Sequence, residues 1–162
     1  MNRRTMTRMA LLGSAVVFAM AAPQAGFAQS SPLIGTWKLN PAKSTYSPGA
    51  PLRSQTVTFQ SEGQGLRMTV DTIDAQGKLT KTVGMILDDG KFHPVKGVSA
   101  YDASSFKIVN DSTTWCIRTK AGKVVQTLII EVSADNKTLT VAITGVTANG
   151  RYINNVNVSD KQ

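Results

Sequence analysis

From residue 62 onward turn chemistry cuts the chain at short intervals: Glu62-Gly63-Gln64-Gly65, Asp74-Ala75-Gln76-Gly77, Asp88-Asp89-Gly90, Asn110-Asp111-Ser112, Lys120-Ala121-Gly122-Lys123, Ala134-Asp135-Asn136-Lys137 and Ala148-Asn149-Gly150. Gly and Asn accept the positive φ that tight hairpins require. The runs between them, about 8 to 12 residues each, have the spacing of hairpin strands. They are rich in Val, Ile and Thr, whose branched Cβ suits a pleated surface. No apolar period of 3.6 persists for three turns, and only Asn40-Pro41-Ala42-Lys43-Ser44 offers a single helical turn. The expectation is an all-β chain of about ten strands at 33–39, 52–61, 65–74, 78–87, 91–96, 103–109, 113–119, 123–132, 137–147 and 151–159.

Alternation supports this assignment. Leu66, Met68 and Val70 alternate with Arg67, Thr69 and Asp71, and Leu139, Val141 and Ile143 alternate with Thr138, Thr140 and Thr144. Each such strand has one apolar and one wet face. Sequential hairpins of this kind bury their apolar face either as a sandwich or as an up-and-down barrel. The short regular turns favour the antiparallel up-and-down barrel, because a Greek-key sandwich needs a long crossover. Closure also removes edge strands. Two longer irregular segments, 41–51 and 97–102, are placed to cover one mouth. Barrels of this size hold a small ligand when inward side chains leave the interior unfilled.

The start of the chain has the composition of an export signal. Arg3, Arg4 and Arg8 precede an apolar run from Ala10 to Ala22, too short to span a bilayer, which needs about 20 residues. Small residues before Gln29 place cleavage after Ala28. The expected organisation is therefore a signal peptide, 1–28, and one barrel domain, 29–162, secreted or delivered to a periplasm with no stable membrane anchor. Arg3-Arg4 leaves twin-arginine export open beside general secretion. Losing those three arginines lowers the formal charge of +8 by three. The remaining basic residues stand singly, without the stripe and stacking aromatics that nucleic-acid binding requires. One Cys and one His exclude a disulfide framework and any site built on several thiolates or imidazoles. No cofactor or metal motif stands out, since Asp88-Asp89-Gly90 lacks the alternating oxygen ligands of a calcium loop.

Leu33-Ile34-Gly35-Thr36-Trp37-Lys38-Leu39-Asn40 resembles the Gly-x-Trp first strand of lipocalins and related calycin barrels. Gly90-Lys91, Pro94-Val95-Lys96-Gly97, the stretch from Val132 to Val141 and the ending from Asn155 to Gln162 are similar to a group of small exported bacterial lipocalin-like proteins, mostly uncharacterised. The resemblance implies a calycin-like barrel in which Gly35 and Trp37 are structural and Trp37 plugs the closed end. It also implies an arginine packed on that Trp, for which Arg151 is the candidate.

Five residues are candidates for ligand contact. Lys81 shares parity with Leu79, Val83, Met85 and Leu87; Gln126 with Val124, Leu128 and Ile130; Tyr152 and Asn154 with Val156 and Val158. If the parity holds, these groups point inward, where a polar side chain needs a partner or a hydrated pocket. An inward Lys81 would favour an anionic ligand; a bulge or a place at the rim is the other reading. His93, the one group that ordinarily titrates near neutral pH, is a cavity hydrogen-bond group, a general base or a rim residue. Cys116 alternates with Trp115 and Ile117 and is expected to be packing. No catalytic residue is assigned. The expected partner is a small hydrophobic or amphipathic molecule in the barrel interior. The alternatives are a small-barrel isomerase, lyase or hydrolase using His93, and a non-catalytic structural protein with a filled core.

Overall fold

The computed structural model describes residues 31–162, so the expected signal peptide and its cleavage point lie outside the described residues. The strands are β1 Gly35–Leu39, β2 Ser54–Glu62, β3 Gly65–Ile73, β4 Leu79–Ile86, β5 His93–Pro94, β6 Ala103–Asn110, β7 Thr113–Lys120, β8 Lys123–Val132, β9 Thr138–Val146 and β10 Tyr152–Lys161. A one-turn 3-10 helix, Pro41–Lys43, follows β1. All ten strands form one antiparallel sheet in the order β4-β3-β2-β1-β10-β9-β8-β7-β6-β5. The chain thus runs up and down in hairpins, and its first and last strands pair with each other. The expected antiparallel up-and-down barrel is the architecture observed, nearly closed.

Most strands match the sequence expectation closely, and the exception is instructive. The run at 91–96 contributes only His93–Pro94 as a strand. Pro94 has no N–H to give to a ladder. Barrel closure falls instead to Val83 and Lys96, which exchange two backbone hydrogen bonds of 3.0 Å. Directly after this bridge, Gly97 has φ +89, and a Cβ there would sit 1.7 Å from the Lys81 carbonyl oxygen. Only glycine lets the two backbones meet so closely.

At the other join, β1 pairs Trp37, Lys38 and Leu39 with Lys161, Asp160 and Ser159 of β10. The 3-10 turn then bulges out, and the lane resumes where Thr45 bridges Val156 and the Asn154 N–H donates to the Ser47 carbonyl. The bulge is pinned by the Asp160 carboxylate, which accepts from Asn40 Nδ2 at 2.7 Å and Lys43 Nζ at 3.1 Å.

One end of the barrel is packed solid. Leu66 near the start of β3, Ile86 at the end of β4 and Leu139 near the start of β9 are all fully buried there with Trp37. Trp37 Nε1 donates to the Leu33 carbonyl oxygen at 2.7 Å, so the indole enters the core with its polar atom satisfied. Gly35, with φ +128, sits against Lys161: a Cβ there would lie 3.1 Å from that side chain's Cε. The cation over the Trp37 ring is Lys161, with Nζ 4.9 Å from the centroid, and Arg151, the candidate for that place, is exposed in the β9–β10 turn.

Candidate functional site

Above this packed floor the barrel encloses a cavity of about 430 Å³. Its walls are the inward rows of the strands: Val57 and Phe59 from β2, Met68 and Val70 from β3, Leu128 and Ile130 from β8, Val141 and Ile143 from β9. Toward the mouth the rows turn polar. Thr72 ends the inward row of β3, Thr80 begins that of β4, and Arg118 lies near the end of β7. The expected mouth segments do contribute to the lining: Pro48, Ala50 and Leu52 come from the stretch after β1, and Val98 and Tyr101 from the stretch before β6.

Arg118 is the charged group of this lining. Its Nη1 donates to Gln126 Oε1 at 3.0 Å, and Gln126 in turn donates through Nε2 to the Val146 carbonyl at 3.2 Å. The guanidinium carbon lies 4.1 Å from the centroid of the buried Tyr101 ring, a cation–π geometry. None of the ion pairs among the described residues involves Arg118, and its Nε is buried without a hydrogen-bond partner. Burial pushes the Tyr101 hydroxyl above its usual range, against the opposing pull of the Arg118 charge. Burial likewise pushes the Cys116 thiol up, with Arg118 pulling the other way, so Cys116 is a neutral packing group at pH 7.

A second polar feature lies on the β2 and β10 wall. Gln55 donates to Thr72 Oγ1 at 3.1 Å and accepts from Asn157 Nδ2 at 3.3 Å. Asn157 is buried, and its Oδ1 has no partner.

The five sequence candidates are dispersed. Gln126 faces inward, buried behind Arg118. Lys81 points outward, exposed, with Nζ 3.5 Å from Asp71 on the neighbouring strand; the inward residues of β4 are Thr80, Thr82, Gly84 and Ile86. The inward orientation expected for Lys81 is thus corrected by one residue of register. Tyr152 and Asn154 are corrected in the same way, since both are exposed and Ile153, Asn155 and Asn157 take the inward places. His93 stands at the narrow β4–β5 join, its Nε2 3.0 Å from both carboxylate oxygens of Asp89, and it is not part of the cavity lining. Asp89 is held below the usual carboxylate range, first by the Lys91 backbone N–H and then by His93.

The residues missed, Arg118, Asn155 and Asn157, lie on strands whose more apolar side chains face outward. Trp115 and Ile117 are exposed on the outside of β7, while Thr114, Cys116 and Arg118 face in. A signal was present: Cys116, the most burial-prone side chain of that strand, shares parity with Arg118. The chain matches no protein-family model and has no significant similarity to a curated protein.

Proposed function

We propose that this chain is an exported β-barrel that carries one small hydrophobic or amphipathic molecule in its interior. The observation that carries this reading is the cavity of about 430 Å³ between an apolar floor and a polar mouth. That volume falls within the range of small-molecule pockets, roughly 300 to 1,000 Å³. A filled-core structural protein has no use for such a space, since a void of this size forfeits packing along all its walls. The export part of the reading rests on the arginines and apolar run of residues 1–28.

The test is titration of the chain lacking residues 1–28 with Nile red, a neutral dye whose emission rises in apolar surroundings. Saturable uptake of one dye per chain is expected. The variant Val141→Trp, which puts an indole into the wall, should abolish it while leaving the circular dichroism of the barrel unchanged. Absence of saturable uptake in the unsubstituted chain, for Nile red and for a panel of apolar ligands, overturns the carrier reading.

A further inference from the structure

We infer that the molecule held in the barrel is an anionic amphiphile, its negative head seated on Arg118 near the mouth and its apolar body directed toward the Trp37 floor. This rests on the carrier reading and names the ligand class within it.

A guanidinium half-withdrawn from water needs compensation. Arg118 has partial compensation from the Gln126 amide oxygen at 3.0 Å and the face of Tyr101 at 4.1 Å. Both are neutral groups. No carboxylate among the described residues forms an ion pair with it, although the barrel pairs Lys43, Lys81 and Lys107 with acids on its exposed surface. Arg118 is the charged residue of the cavity lining and has no carboxylate partner there, and a carboxylate or similar oxyanion meets a guanidinium in its forked geometry.

The surroundings hold the guanidinium ready. Gln126 is fixed from behind by its bond to the Val146 carbonyl, and the Arg118 guanidinium carbon lies over the Tyr101 ring. An incoming anion therefore meets a charge already ordered. Along β8 and β9 the inward side chains below this point are Leu128, Ile130, Val141 and Ile143, which offer no hydrogen bond to a second polar group. The head is charged and the body is not.

Dodecanoate and dodecanol, matched in chain and differing in charge, separate the possibilities when each displaces Nile red at pH 7.5. Dodecanoate is expected to bind at least tenfold more tightly than dodecanol. Arg118→Met should reduce dodecanoate affinity by ten- to a hundredfold and leave dodecanol within twofold, and Arg118→Lys should retain an intermediate preference for the acid. If both ligands displace the dye equally in the unsubstituted chain, the anion inference fails and the carrier reading stands. If neither displaces it and Nile red itself does not bind, the carrier reading fails. The comparison in the unsubstituted chain decides the matter even if a variant does not fold.

Discussion

Leu66, Ile86 and Val132 occupy one end of the inward rows of β3, β4 and β8; Thr72, Thr80 and Gln126 occupy the other ends of the same strands. The first set is buried in the core with Trp37, and in the second Thr72 and Thr80 line a space with Gln126 behind its wall. The difference teaches a division of labour along single strands. Apolar closure at the floor supplies the burial that holds the sheet shut, at about 25 cal/mol per Å². The mouth, relieved of that task, accommodates a cation, amides and hydroxyls at positions where a solid core would reject them.

The largest test of this contrast sets one residue of each end against the other. Trp37→Ala should cost about 3 to 5 kcal/mol in urea unfolding, the range for deleting a fully buried aromatic. Arg118→Met, by contrast, should change stability by no more than about 1 kcal/mol, in either direction, because the charge is only half-buried and replacing a poorly compensated charge with an apolar chain is often neutral or favourable. Equal losses at both positions would erase the distinction between floor and mouth.

A smaller effect is expected at the Val83–Lys96 bridge, which joins the two halves beside the mouth. Gly97→Ala puts a non-glycine residue at positive φ, a strain of about 1 to 3 kcal/mol, and drives a Cβ onto the Lys81 carbonyl, so the two backbones must also part. The amides of Val83 and Lys96 should then exchange faster than those of β8 and β9. Uniform exchange across all strands would mean that the sheet opens as a unit and that this join is no weaker than the rest.

The smallest effect is electrostatic and sits at the bulge after β1. Hydrogen bonds from Asn40 and Lys43 hold the Asp160 carboxyl below its usual range. A carboxyl whose folded pKa is depressed adds stability above its unfolded pKa, about 3.9, and loses it as pH falls through the lower folded value. Acid titration of the native chain should therefore show a decline below pH of about 4 that is shallower in Asp160→Asn. An unchanged slope would detach the bulge from acid sensitivity.

Parity in the sequence located the interior correctly on β3 and β9, where Met68, Val70, Val141 and Ile143 are the apolar members of clean alternations. It pointed to the wrong face on β4 and β10, which reach the polar mouth. A β-branched or aromatic side chain favours a strand whether it faces in or out. A wet cavity removes the requirement that the inner face be the oilier one. Leu79 and Tyr152 therefore stand outside while Thr80 and Asn155 face the interior. Parity assigns Gln126 inward because β8 continues into the floor through Leu128, Ile130 and Val132, all buried. It gives no such sign for Arg118, because β7 presents Trp115 and Ile117 to solvent and only Cys116 marks the inner face.

Those two indoles, the chain's complement of tryptophan, sit in opposite surroundings: Trp37 has no exposed surface and Trp115 is 55% exposed on the outer wall. Iodide in solution can reach the second and not the first. Excited together, the pair gives one broad emission whose blue side comes mainly from the sealed base and whose red side comes mainly from the outside. An unlabelled molecule thereby reports contact at its flank through the share of its emission that iodide removes, while the sealed share reports whether the base stays closed.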